Sequence, residues 1–341
     1  MNLNDVLARE IVRNTVNLTR FEAGLRKTAL AELIRLDNIL VGILAQSGPN
    51  IKVSKMLATA KQEINKHIDS AKKTALRDSE RLTRATAAAT AKSVNLVTGS
   101  NLATSLVSDS FVKASLKKAV VMGAPAAEMW GRQKVSYYNR FADIARAGFI
   151  TGKSTGSIIT DWNQNSDQLR RNVESQVRTS VHSMANAAQM QFYENNGDFI
   201  DGVQVQVTLD LRTSPICRAR SGMAWSLDGK PINASASGQP YPGNPPYHYN
   251  CRSIMIGVLK DFSDLTPSDQ RKIPVGTQAS MNGQVPANLT YDDWFKTLPE
   301  SDQVEVLGQS KFKIWKDGRL SHRNMINQDG NTLTIEQLES R

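Results

Sequence analysis

The sequence predicts an α+β protein, with a long, mostly helical N-terminal region followed by a compact α+β module that has a small sheet and a proline-rich loop. Three observations carry this prediction. Apolar residues recur at helical spacing from Leu3 to about Ala45, and the stretch from Val53 to about Val97 holds neither proline nor glycine. Further on, Val203, Val205 and Val207 alternate with Gln204, Gln206 and Thr208, which is the period of a half-buried strand.

The apolar stripe of the first helix runs through Val6, Leu7, Ile11, Leu18, Leu25, Leu33, Leu36 and Leu40 and is closed by Ser47-Gly48-Pro49-Asn50. Glycine there supplies a left-handed exit, and proline cannot continue the ladder. The second helix completes a hairpin. Within it, Thr83 to Lys92 carries few large apolar side chains, the pattern of an exposed helix or of a segment ordered against a partner. Helical patterns follow at about Leu102 to Met122, Pro125 to Ala147 and Asp167 to Asn195, with Gly148 to Gly156 as a hinge and Asn195-Asn196-Gly197 as a stop. After the strand at 203–207, Pro231 to Tyr249 holds five prolines and three tyrosines and reads as a loop pinned to the module. Arg252 to Leu259 alternates toward another strand. The division expected from these signals is a basic helical arm at 1–120, a helical connector at 121–166 and a compact module at 167–341.

A chain of 341 residues, 40% of them hydrophobic, has room for one large or two ordinary domains. No run approaches the roughly 20 apolar residues of a membrane span, and Met1-Asn2-Leu3-Asn4-Asp5 lacks the basic-then-apolar order of a secretory signal. A soluble protein of the cytosol is expected. Two cysteines and four histidines make a poor inventory for a disulfide scaffold or for histidine-rich metal chemistry.

The net charge of +10 is unevenly placed. Residues 1–120 hold 19 Lys and Arg against 10 Asp and Glu, whereas the remaining chain holds 23 against 22. Such a surface attracts polyanions without reading sequence. Lys61, Lys66, Lys72, Lys73, Arg77, Arg81, Arg84 and Lys92 of the second helix are therefore the candidate contacts to double-stranded DNA.

A second constellation sits at two strand ends. Asp210 to Cys217 follows one strand, and His248 to Ser253 precedes another. Cys217, His248 and Cys251 supply most of a tetrahedral zinc site, with Asp210 or water as the fourth ligand, or else form a pair of buried thiols beside a hydrogen-bonded histidine. Asp210 and Arg212, two apart on an extended segment, are candidates for an ion pair, with Arg178 on the preceding helix. Nucleophilic catalysis by either cysteine would need His248 in reach and a third group to orient it. The sequence has no glycine-rich phosphate cradle, Walker lysine or paired-carboxylate motif, so a noncatalytic protein is the expectation.

In these residues the chain resembles the phage Mu F-like family of head morphogenesis, or minor head, proteins. The resemblance rests on Val177-Arg178-Thr179, the run from Thr208 through Asp210, Arg212, Thr213 and Ser214 to Cys217, Gly222, Pro245-Pro246-Tyr247-His248 and Cys251-Arg252-Ser253. It continues through Tyr291-Asp292-Asp293-Trp294-Phe295, Leu298-Pro299, Val306-Leu307-Gly308 and Lys316-Asp317-Gly318. It covers about 120–340 and departs near Ser214, where members often carry cysteine or a smaller residue. The resemblance implies structural roles for Arg178, Thr179, Asp210, Arg212, Thr213 and Arg252. It also implies a virion component of the head interior or portal vertex, made in the host cytoplasm. Such a protein associates with the portal, the procapsid and other head proteins and assists DNA packaging or ejection, with no membrane contact in the assembled head. The alternative is a head-packaged effector enzyme, a nuclease or transferase, that uses Asp210, Arg212, Cys217 and His248.

Overall fold

The computed structural model describes residues 3–47, 52–99, 108–121, 124–260, 277–286, 288–327 and 329–340. Two long helices, α1 (Leu3–Ala45) and α2 (Val53–Thr98), form the expected hairpin. Most of the turn expected at Ser47-Gly48-Pro49-Asn50 lies outside the described residues. Then come α3 (Asp109–Lys118), a short antiparallel pair β1 (Val120–Val121) and β2 (Ala124–Pro125), α4 (Ala126–Ile150) and α5 (Thr155–Asn195). The second half holds β3 (Ile200–Gln206), α6 (Pro215–Arg220), β4 (Ala224–Ser226), a 3₁₀ turn at Ala234–Ala236 and β5 (Ile254–Leu259). A hairpin of β6 (Thr277–Ser280) and β7 (Gly283–Pro286) precedes α7 (Tyr291–Lys296), α8 (Glu300–Leu307), α9 (Gln309–Lys316), a 3₁₀ turn at His322–Met325 and α10 (Ile335–Glu339). The class is α+β, as expected. Among the described residues no helix is long and apolar enough to cross a membrane.

The central sheet has the antiparallel order β4-β3-β5. Val203 stands opposite Trp225 on one side and Gly257 on the other, and Val205 opposite Met255. Both valines are fully buried, so the alternation read from the sequence is the alternation of the sheet's faces. Gly257 is required where β5 lies against α5, because a Cβ there would stand 2.9 Å from the Tyr193 ring.

Two apolar cores form. One joins Leu33, Leu36 and Leu40 of α1 to Ile64 and Ile68 of α2, Phe141 of α4, and Trp162, Val173 and Val177 of α5. The other joins Val6, Leu7 and Ile11 of α1 and Val94 of α2 to Tyr193, the sheet and the α7 aromatics. The hairpin thus contributes to both cores.

This packing corrects several expectations. Thr83 to Lys92 is covered by the chain itself: Thr83, Ala87, Thr90 and Ala91 are buried, and Ala87 and Ala91 share the core with the first turns of α1. Small side chains let two helices approach closely, which in sequence looks like the lack of an apolar face. The helix expected from Leu102 to Met122 is, among the described residues, α3 alone; it stops at Lys118 and the β-branched pair Val120-Val121 extends into β1.

α5 begins twelve residues before the expected Asp167. Ser154 caps it by accepting from the Ser157 amide, and Ile158, Trp162, Ser166 and Leu169 form a buried stripe through a polar-looking stretch. The division at 166/167 therefore falls inside one continuous helix. Within 1–120, α1, α2 and α3 pack against α5 and α1 also against β5, so these helices do not stand apart as an arm.

Candidate metal centre

The loop after β3 and the loop before β5 meet, as their positions at strand ends predict. Pro215 opens α6, where its fixed φ suits the first helical position. Cys217 follows one half-turn later, with its amide donating to the Ser214 carbonyl at 3.0 Å. On the opposite loop, His248 and Cys251 are joined by a Cys251 N–H to His248 carbonyl bond of 3.2 Å. Asn250, between them, holds a left-handed φ of 61°.

Two side chains of α5 and one ion pair between the loops fix this geometry. Thr179 Oγ1 of α5 accepts from the Asn250 amide at 2.9 Å, and Arg178 Nη1 donates to Asn250 Oδ1 at 3.0 Å. Arg178 also lies 3.5 Å from Glu22 of α1, tying the hairpin to the loop. Arg252 donates to both oxygens of Asp210, at 2.5 and 2.8 Å. Asp210 Oδ1 further accepts from the Arg212 amide at 3.1 Å and lies 3.1 Å from the Thr213 hydroxyl, which donates to the Thr208 carbonyl at 2.5 Å. Burial pushes the Asp210 carboxyl up, and the hydrogen bonds and charge of Arg252 more than offset this, so its pKa lies below the ordinary value.

The expected pairing of Asp210 with Arg212 is corrected here. The Arg212 side chain is exposed and contributes its backbone amide, while the guanidinium that pairs comes from Arg252, across the loop junction. Asp210 is also corrected as a metal ligand, because both its oxygens are taken by Arg252. Two residues that hold this site went unread in the sequence. Asn250 is marked only by its place between His248 and Cys251. Asn186 is a polar residue on the buried face of α5 that donates to the Ser253 carbonyl at 3.3 Å and accepts from the Met255 amide at 3.1 Å.

At the centre, Cys217 Sγ lies 3.7 Å from Cys251 Sγ and 3.2 Å from His248 Nε2, and all three donor atoms fall within 4.8 Å of one another. Two thiolates on one tetrahedral ion, each about 2.3 Å from it, stand about 3.8 Å apart. His248 Nδ1 lies 2.7 Å from the Tyr249 carbonyl. That contact places the proton on Nδ1 and leaves the Nε2 lone pair facing the sulfurs, the outer-shell arrangement that orients a metal-bound imidazole.

The thiols are electrostatically unequal. The hydrogen bond from Cys217, with help from His248, lowers the Cys251 thiol, whereas the same bond and burial hold Cys217 up. The hydrogen bond to Cys251 raises His248 in turn. The group can hold a metal ion. Ser214 Oγ lies 2.7 Å from His248 Nε2, beside the three donors. Ser214 and Cys217 share the three-residue spacing of His248 and Cys251. Both sulfurs are shielded, with Cys217 at 2% and Cys251 at 0% exposure, which suits a structural ligand better than a nucleophile that must reach a substrate.

The eight basic candidates of α2 divide. At 100° per residue, Lys66, Lys73, Arg77, Arg81, Arg84 and Lys92 fall within a sector of about 100° and extend over about 39 Å of helix. Arg84 is paired with Asp109, Arg77 with Asp78 and Lys66 with Glu63. Lys61, over the Tyr138 ring at 5.3 Å, and Lys72 lie on the other side. Comparison with protein-family models, curated proteins and solved structures returns no match to this chain.

Proposed function

We propose that this chain is a minor head, or head morphogenesis, protein of a tailed bacteriophage. In this reading it is noncatalytic, works at the portal vertex or inside the head, and assists assembly and DNA packaging or ejection. The observation that supports the reading is the convergence of the residues carrying the family resemblance. Arg178 and Thr179 hold Asn250, Asp210 holds Arg252, and these clamps bracket Cys217, His248 and Cys251. Residues scattered over 75 positions thus serve one local structure.

In this reading the ion is zinc, since two sulfurs and one imidazole nitrogen match its donor preference. Its role is to fasten the loop before β5 to α6. The basic stripe of α2 would contact the DNA backbone without sequence preference, along about one turn of duplex. The remaining partners are the portal and other head proteins.

The reading is tested by quantitative mass spectrometry of procapsids and filled heads from the infected host, with portal protein as the internal standard. A few copies per portal ring are expected. Absence from both particles overturns it.

A further inference from the structure

Away from the metal centre, a cleft of about 200 Å³ lies between α6, the 3₁₀ turn His322–Met325 and the proline-rich loop, and its wall includes Arg220, Arg323, Gln239, Asn324, Asn327 and Trp225. Arg220 ends α6 and lays its guanidinium over the Tyr247 ring, 4.3 Å from the centroid. Arg323 projects from the 3₁₀ turn, which packs against α6. Among the described residues neither guanidinium has a carboxylate within ion-pair distance or a hydrogen bond to protein. Of the two acidic residues nearest in sequence to Arg323, Asp317 pairs with Arg319 and Asp329 is exposed.

For Arg220 this is an anomaly of charge. Its guanidinium is partly removed from water, and burial lowers its pKa, while the face of Tyr247 covers one side of it and no carboxylate among the described residues pairs with it. A cation over an aromatic ring recovers part of the lost hydration and leaves the in-plane N–H donors available to a further acceptor. The exposed arginines of the chain have water for that purpose. Arg252, similarly buried, has Asp210.

We infer that this cleft binds a phosphate-type oxyanion, held between Arg220 and Arg323. Two guanidinium forks offer bidentate hydrogen bonds to such a group. Gln239, Asn324 and Asn327 also line the cleft, and their amide groups can add donors to a tetrahedral anion. The volume admits a phosphate or a single phosphodiester and falls below the roughly 300 Å³ at which pockets take whole small-molecule ligands. The apolar ring of Trp225, whose Nε1 donates to the Gln239 carbonyl at 3.0 Å, closes the floor. The inference stands on the cleft alone and does not rest on the reading given above.

Titration calorimetry of the full chain, with ionic strength held constant by chloride, tests it. One arm uses inorganic phosphate and the other a thymidine dinucleotide with one internal phosphodiester. Saturable binding of one phosphate per chain is expected, weakened at least tenfold by Arg220→Gln and by Arg323→Gln and less by Arg220→Lys. Binding of the dinucleotide with the same mutational pattern assigns the group to a nucleic-acid backbone, and binding of phosphate alone assigns it to the free ion. If Arg220→Gln fails to fold, Arg323→Gln decides the matter, since among the described residues that side chain stacks on no ring. No saturable binding in either arm, or binding that Arg323→Gln leaves unchanged, overturns the inference.

Discussion

Arg252 grips both carboxylate oxygens of Asp210 across a gap of 42 residues in sequence, at 2.5 and 2.8 Å. Arg252 directly follows Cys251, and Asp210 begins the turn that leads to Cys217, so one bidentate pair sets the separation of the two sulfurs. The Tyr291 hydroxyl donates to the Asp210 carbonyl at 3.1 Å and anchors the same turn from α7.

Asp210→Asn should therefore cost about 2 kcal/mol, below the full penalty of breaking a fully buried pair because the Arg252 side chain is 30% exposed. Denaturant unfolding measures this. The double variant Asp210→Asn with Arg252→Gln should lose less than the sum of the two single changes. With its pKa lowered, Asp210 contributes stability that is present above the ordinary carboxylate pKa of 3.8 and is lost as pH falls below it.

Elemental analysis of protein purified without chelator should find about one zinc per chain, and chelation should lower the melting temperature, because an ion bound only by the folded state adds to its stability. Cys217→Ser should lower zinc content and stability together. Ser214→Cys should raise zinc affinity, since a third thiolate, as fourth protein ligand, replaces a hydroxyl or water beside His248. Stoichiometric zinc that survives Cys217→Ser would place the ion elsewhere.

Replacing Lys73, Arg77 and Arg81 together by glutamine should weaken DNA binding and flatten the log–log salt dependence by about 2 to 3 in slope, with no change in sequence preference. Replacing Lys61 and Lys72, on the other side of α2, should do neither. Fluorescence anisotropy on two unrelated duplexes over a salt series distinguishes the two cases.

Burial holds His182 down to about 4 from an ordinary 6.5. The unfolded chain takes up this proton through pH 6.5 and the folded chain only near 4. Stability is therefore fully present above 6.5 and falls by on the order of 3 kcal/mol as pH drops toward 4. Asp37, raised by burial to about 6, acts with the opposite sign between 3.8 and 6. The difference between wild type and His182→Gln cancels that contribution, and the variant should show the flatter loss of stability on acidification.

The two helices of the hairpin and strand β3 were legible because their apolar periods are long and uninterrupted. The first turns of α5 were not, because Asp161, Asn163, Gln164, Asn165 and Asp167 crowd around a buried stripe of one residue in three or four. The meeting of Cys217, His248 and Cys251 followed from their places at strand ends. Their clamps did not, because the partner of Asp210 lies 42 residues away and that of Asn250 lies 71 residues away, on α5. Spacing along one strand pointed to Arg212, whereas the pairing of β3 with β5 delivers Arg252.

The long helix α5 also fixes an order of events during synthesis. Asp37 of α1 meets Arg170 of α5, a partner made 133 residues later, and the leucines of α1 share their core with Trp162 and Val173. At about 5–20 residues per second, α1 waits roughly 7–27 seconds for the helix that covers its remaining apolar side. Through that interval the nascent chain offers Leu33, Leu36 and Leu40 to chaperones, or to the hairpins of neighbouring ribosomes on the same message.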